Sequence, residues 1–160
     1  MSRTEALLGI EREVGVLIRR VRRVITARAL MVHPDLQPAA YLILGYVADL
    51  GPQRSSAIAE KFAIDKGAVS RQVQHLVELG FVERRPDPDD GRASILRVTA
   101  KGRRRHHEVN ALRRQFLDER LSDWDDEELE GFADLMARYN ASLDAAELVG
   151  SAQPDRGVRR

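Results

Sequence analysis

Apolar residues recur in steps of three and four along the first part of the chain: Leu7, Ile10, Val14, Leu17, Val21 and Val24. That spacing predicts one long helix from about Thr4 to Met31, with these residues in a single row. Arg19, Arg20, Arg22 and Arg23 crowd the edges of the row. The row either packs on its own domain or meets a partner subunit, and its length suits both. His33-Pro34-Asp35 ends the helix, because the residue before a proline is pushed out of the α region. Pro38 suits the first turn of a second helix. Tyr41, Leu42, Leu44, Val47, Ala48 and Leu50 give that helix its apolar face, and Gly51-Pro52 stops it.

Two short helical segments follow. Ser55 or Ser56 can cap the first, over Ala57 to Phe62. Asp65 can cap the second, over Lys66 to Leu79, with Gly80 at its exit. Only Ala63-Ile64 separates them, which predicts a helix-turn-helix. Phe81 to Arg85 reads as a strand, and Pro86-Asp87-Pro88-Asp89-Asp90-Gly91 is a dense turn signal. Ser94 to Thr99 reads as the return strand, with Ile95 a partial break in its alternation. The hairpin forms a wing. Thr99 can cap a helix running to about Leu121. Asp125 and Glu128 have capping-box spacing for a last helix, whose apolar positions are Leu129, Phe132, Met136, Tyr139 and Leu143.

The expected fold is mainly α with a small β-wing: a winged helix-turn-helix between N- and C-terminal helices. The segments are residues 4–33 for the first helix and 38–100 for the winged domain. Residues 101–148 form the C-terminal helices, and 149–160 a polar tail expected to be disordered.

The helix after Asp65 carries the candidate chemistry. Val69, Val73, Leu76 and Val77 fall on one side and must face a core. Gly67, Ala68, Arg71, Gln74 and His75 fall on the other, with Ser70 at its flank. Small residues at a helix N-terminus let the backbone approach phosphates and base edges in a major groove. Arg71 can donate two hydrogen bonds to guanine, and Gln74 can pair with adenine. Ser70 can contact either base or phosphate. Lys66, Ser55 and Ser56 join this DNA-binding set. Each residue alone is an ordinary exposed polar side chain; their placement within a helix-turn-helix followed by a wing points to DNA. In the wing, Arg84 and Arg85 lie at the base and Arg92 at the tip, from which an arginine can enter an A·T-rich minor groove. Asp90 would pair with Arg92 and hold its guanidinium. Lys101, Arg103, Arg104 and Arg105 follow, either contacting the DNA backbone or only neutralising its approach.

Composition narrows the classes. Apolar residues make up 43% of the 160 residues, enough for a core, and the formal net charge is only +1, so the case for nucleic acid rests on local placement. With no cysteine there is no disulfide, thiol nucleophile, cysteine zinc site or thiol redox sensor. No catalytic constellation or glycine-rich phosphate loop occurs, so no enzyme activity and no cofactor are expected. His106 and His107 point about 100° apart on a helix and lack the spacing of a shared ligand pair, so no metal is expected. The polar N-terminus and the lack of a long apolar run predict a cytoplasmic protein that avoids membranes.

The stretch DKGAVSRQVQHLVELGFVERRPDPDDGRASILRVTAKG, from Asp65 to Gly102, resembles the multiple antibiotic resistance regulator (MarR) family. The order of parts is similar: recognition helix, Leu79-Gly80 exit, the Arg84-Arg85 pair, the Asp-x-Arg of Asp90 and Arg92, and the Thr-x-x-Gly of Thr99 to Gly102. Gly91 is smaller than the basic residue often found there. The likeness extends over about Ala6 to Leu143. It implies a homodimeric transcription regulator, most simply a repressor, in which the first helix and the last two helices form the dimer and double-stranded DNA is bound as a pseudo-palindrome. It also implies an effector pocket between the dimerisation helices and the winged domain. Met31, His33, Tyr41, Tyr46, Arg113 and Phe116 are the candidates for it by position, and a small aromatic or phenolic ligand would suit them. The alternative is a winged-helix protein-interaction module acting through its terminal helices.

Overall fold

The computed structural model describes residues 1–90 and 93–144. Helix α1 spans Arg3–Val32, α2 Pro38–Leu50 and α3 Ser55–Lys61, with a short strand β1 at Gln53–Arg54 before α3. Helix α4 spans Lys66–Glu78; strands β2 (Val82–Pro86) and β3 (Ser94–Val98) follow. Helices α5 (Ala100–Arg120) and α6 (Asp126–Asp144) complete the order. The chain forms two compact units, one from Met1 to Arg114 and one from Gln115 onward.

The predicted elements are present, with local corrections. Ser2 and Glu5 form a reciprocal cap that starts α1 a residue early. Pro38 opens α2 as expected. Neither Ser55 nor Ser56 caps α3: both lie inside it, and Arg54 occupies the cap position without a side-chain bond. The reason is β1, unforeseen from the sequence. It pairs Gln53 with Leu96 and Arg54 with Ile95, fixing the backbone that enters the helix. The sheet is antiparallel in the order β1-β3-β2. The expected tail at 149–160, and the last residues of the C-terminal segment, lie outside the described residues.

The core of the first unit joins Ala29 and Val32 of α1 to Tyr41, Ile43, Leu44 and Val47 of α2. Ile58 of α3, Val69, Val73 and Leu76 of α4, Phe81, Leu96 and Val109 also belong to it. In α4 the three core positions are at most 1% exposed. Burying a side chain such as Leu76 contributes roughly 1.5–3 kcal/mol. The apolar row of α1 behaves differently. Leu7, Ile10, Leu17, Val21 and Val24 stay 37–49% exposed, and only the last turns, from Ile25 on, reach the core.

The helix-turn-helix is closed by two similar turns. At the end of α4, Phe81 N–H donates to the Leu76 carbonyl and Gly80 N–H to that of Val77, both at 2.9 Å, with Gly80 at φ +71°. At the end of α3, Ile64 donates to Ala59 and Ala63 to Glu60, both at 3.1 Å, with Ala63 at φ +49°. Both are Schellman turns, whose left-handed position glycine occupies at least cost.

Helix α6 starts as predicted: Asp125 Oδ1 accepts from Glu128 N–H, and Glu128 Oε2 accepts from Asp125 N–H. In this second unit Trp124 packs edge-on against Phe132 at 5.5 Å. Leu129, Phe132, Leu135 and Leu143 are 36–61% exposed.

Candidate nucleic-acid interface

Helix α4 presents one face to the core and one to solvent because its apolar residues recur at helical spacing. Asp65 caps it: Oδ2 accepts from Ala68 N–H at 3.0 Å. Gly67 makes room for that cap, since a Cβ there would lie 2.9 Å from Asp65 Oδ2. The outer row of Gly67, Ser70, Arg71, Gln74, His75 and Glu78, together with Arg84 of β2, lines an open groove of about 490 Å³. Lys66, Gly67, Ser70, Arg71 and Gln74 are exposed; Ala68 and His75 are half-buried. Of the predicted outward residues of the helix, Gly67, Ser70, Arg71, Gln74 and His75 therefore fall together on one surface, where Arg84 joins them; Ala68 does not line it.

Two of these side chains are already engaged. His75 Nε2 lies 2.9 Å from the Asp35 carbonyl in the α1–α2 loop. A carbonyl only accepts, so Nε2 carries the hydrogen in this contact. Gln72 reaches Gln37 in the same loop at 3.3 Å, so α4 is tied there twice. Gln74 Nε2 donates to Glu78 Oε1 at 3.0 Å. Glu78 was absent from the sequence-based set.

The wing base is held by a carboxylate that the turn signal did not single out. Asp87, between Pro86 and Pro88, is 4% exposed. Its Oδ1 accepts from Asp89 N–H at 2.9 Å, and its Oδ2 forms an ion pair with Arg54 Nε. The Asp89 amide, and then the Arg54 guanidinium, hold this carboxyl below its ordinary pKa against the opposing effect of burial. Arg54 thereby links the entry of α3 to the wing. Ser55 is half-buried and Ser56 exposed beside it. Arg84 and Arg85 are exposed, and Arg85 pairs with Glu83 at 3.1 Å. Asp90 is exposed and its backbone N–H also acts on the Asp87 carboxyl. Arg92, and with it the expected Asp90–Arg92 pair, lies outside the described residues.

The start of α5 braces the recognition helix. Thr99 Oγ1 donates to the Gly80 carbonyl at 2.7 Å and accepts from Gly102 N–H at 3.1 Å. A Cβ on Gly102 would sit 2.1 Å from the Phe81 carbonyl oxygen, so only glycine fits the crossing. This is the physical content of the Thr-x-x-Gly pattern. Lys101 Nζ donates to the Leu79 carbonyl at 2.8 Å, at the C-terminal end of α4. Arg105 donates to the Met31 carbonyl at 2.6 Å and to that of Val32 at 3.3 Å, ending α1 in the same way. Cations suit these sites because the last carbonyls of a helix lack internal partners. Lys101 and Arg105, considered above for the DNA backbone, are thus engaged inside the fold. Arg103 and Arg104 remain exposed.

The positional ligand candidates scatter. Tyr46 packs on Phe62 at 5.4 Å, and His33 packs edge-on against Phe81 at 6.0 Å. Met31 is exposed, with its carbonyl taken by Arg105. Phe116 belongs to the second unit, where it is 55% exposed. Only Tyr41 and Arg113 relate to a buried polar cluster, and the sequence did not mark its centre. That centre is His106, 7% exposed, with its ring 6.2 Å from that of Tyr41. Burial lowers the Arg28 pKa, and the neighbouring Tyr41 opposes that shift. Asn110 Nδ2 approaches His106 at 3.4 Å, while Asn110 Oδ1 is buried with no hydrogen-bond partner among the described residues. Burial first, then Arg113 and His107, push the His106 pKa down, and Asp49 opposes them. Among the described residues no helix is long and apolar enough to cross a membrane.

Two helices joined by a tight turn, an outward polar row on the second, and a hairpin beside it define a winged helix-turn-helix protein. Residues 35–93 match the model of the MarR family. The chain is 30% identical over 109 residues to YxaD of Bacillus subtilis, an uncharacterized HTH-type transcriptional regulator, covering 68% of this chain and 76% of that one. Its fold is similar to that of the transcriptional regulator BldR from Sulfolobus solfataricus (TM-score 0.65, 26% identity, 86% of this chain and 99% of that chain). It is also similar to a mutant MarR from E. coli complexed with operator DNA (TM-score 0.64, 20% identity, 87% and 99% coverage). This chain belongs to the MarR family and is a transcriptional regulator of that family.

Proposed function

We propose that the chain binds a pseudo-palindromic operator as a homodimer and represses transcription in the cytoplasm until a small ligand releases it. The observation that carries this reading is the outer row of α4. Gly67, Ser70, Arg71 and Gln74 are exposed on one groove, and the opposite face of the helix is fixed in the core. Arg71 and Gln74 would read base edges, Ser70 would position, and Lys66, Ser55, Ser56, Arg84 and Arg85 would contact the backbone. Arg92 would enter the minor groove. His75 would serve by holding α4 to the Asp35 carbonyl rather than by free contact with DNA. The relative solved with operator DNA has the same fold, which supports the mode of binding.

The exposed rows of α1 and α6 support the homodimer, since such apolar area calls for cover. The buried Tyr41, His106 and Asn110 cluster supports the effector reading. Its unmet acceptor, with Arg28 and Arg113 nearby, suits an aromatic compound with a hydroxyl or carboxylate group. Footprinting of the chain's own upstream region tests the whole proposal. Protection of two half-sites about one helical turn apart is expected, with affinity falling steeply with salt. Equal affinity for that region and for random DNA would sink it.

A further inference from the structure

The last residue of the recognition helix, Glu78, lies one turn beyond Gln74 on the same outer row, and both line the groove beside Arg84. A carboxylate only accepts hydrogen bonds, so it can pair with the nitrogen of the Gln74 amide and never with its oxygen. The 3.0 Å contact from Gln74 Nε2 to Glu78 Oε1 therefore settles which end of the amide is which. Without Glu78, rotation of the amide by half a turn would exchange the two ends at little cost.

That choice has consequences at a base edge. Adenine offers one acceptor and one donor in the major groove, N7 and the N6 amine; guanine offers two acceptors, N7 and O6. A free glutamine can turn its amine to either base. A glutamine with one N–H held by a carboxylate keeps its carbonyl oxygen and one N–H, the pair that adenine requires, and loses the second donor that would favour guanine. Resting on the DNA-binding reading above, we infer that Glu78 is a specificity-determining positioning residue, which orients the Gln74 amide so that it selects adenine over guanine at one base pair of each half-site.

Selection from randomised double-stranded DNA, with the full-length protein and its variants Glu78→Ala, Glu78→Gln and Gln74→Ala, tests this. Wild type is expected to select a motif containing one adenine that Gln74→Ala no longer selects. Glu78→Ala is expected to lower the adenine-over-guanine preference at that position alone by about tenfold, the scale of one good base contact. In the Gln74→Ala background the same substitution should leave every preference unchanged. Glu78→Gln, which also removes the charge but can present either end of its own amide, should fall between. If Glu78 merely repels phosphate, Glu78→Ala will strengthen binding to all sequences alike and leave the motif intact, and the inference is overturned. A wild-type protein that selects no motif would overturn the DNA-binding reading along with it. Thermal unfolding of each variant guards against a folding defect, which the exposed position of Glu78 argues against.

Discussion

Helices α1 and α4 carry the same kind of pattern and meet different fates. Both place apolar residues at steps of three and four. In α4 Val69, Val73 and Leu76 are at most 1% exposed, with Val77 half-buried beside them; in α1 the row from Leu7 to Val24 is 37–49% exposed apart from the half-buried Val14. Spacing alone therefore identifies a face without saying what covers it. In α4 the cover comes from the same chain, through α2, α3 and β2. Among the described residues, Ile25, Ala29 and Val32 of α1 find such cover, while the row before them stays exposed. Helix α5 contains both conditions in one element: Gly102, His106 and Val109 are buried, and every residue from Ala111 to Arg120 is exposed.

Four measurements distinguish a covered face from an uncovered one. The largest effect should come from Leu76→Ala on the covered face, a loss of about 3 kcal/mol in urea unfolding, independent of protein concentration. On the opposite face of the same helix, Arg71→Ala should leave stability within about 0.5 kcal/mol. Its effect should instead appear in DNA binding, as roughly a tenfold loss of discrimination at one base pair in a competition assay. In α5, His106 tests where the covered face ends. Its pKa is lowered in the fold, so the unfolded chain binds the proton more readily. The stabilising contribution is complete above the ordinary histidine pKa and fades as pH falls through about 6.5 toward the lowered value, by at most about 1.4 kcal/mol per pH unit. Thermal unfolding between neutral and mildly acidic pH should show this slope, and His106→Gln should flatten it. The smallest effect on folding should come from Leu17→Asp in the uncovered row. At high dilution the change should stay under about 0.5 kcal/mol, while the rise of Tm with protein concentration disappears. A loss as large as that of Leu76→Ala would mean that the row is covered within its own chain.

Most of the architecture was legible because it follows from local rules. Proline at the first turn, aspartate caps, glycine at the exit of α4 and alternation in β3 each act over a few residues, and the structure uses them as expected. Strand β1 escaped because two residues carry no period. Its existence depends on β3, some forty positions later. The end of α3 was seen only as a gap, since Ala63 takes the left-handed conformation in which Gly80 advertises itself at the end of α4. For the site, the outward row of α4 was readable from helical spacing. Glu78 was missed because a carboxylate looks hostile to DNA until its partner is known. Asp87 was missed because its burial comes from the folding of the turn around it. Lys101 and Arg105 looked like part of a basic run, and only the tertiary fold places helix-end carbonyls in front of them. The ligand candidates were the least legible. Aromatic residues mostly went into packing, and the centre of the polar cluster is a histidine that neighbours another in sequence and differs from it in burial.

The crossing of Gly102 over Phe81 bears on where the chain could be cut. The winged domain reads as complete in sequence at the end of β3, but the C-terminal end of its recognition helix is braced from the first turn of α5: Lys101 donates to the Leu79 carbonyl, and Gly102 N–H holds the Thr99 hydroxyl that donates to the Gly80 carbonyl. A fragment ending at Thr99 would lose Lys101 and Gly102 together, and would strip the core of Val109. Autonomy of the DNA-reading part therefore requires several turns of a helix that reads as belonging to another segment. Any shift imposed on those turns would be delivered to the end of the recognition helix through hydrogen bonds and one glycine-wide contact.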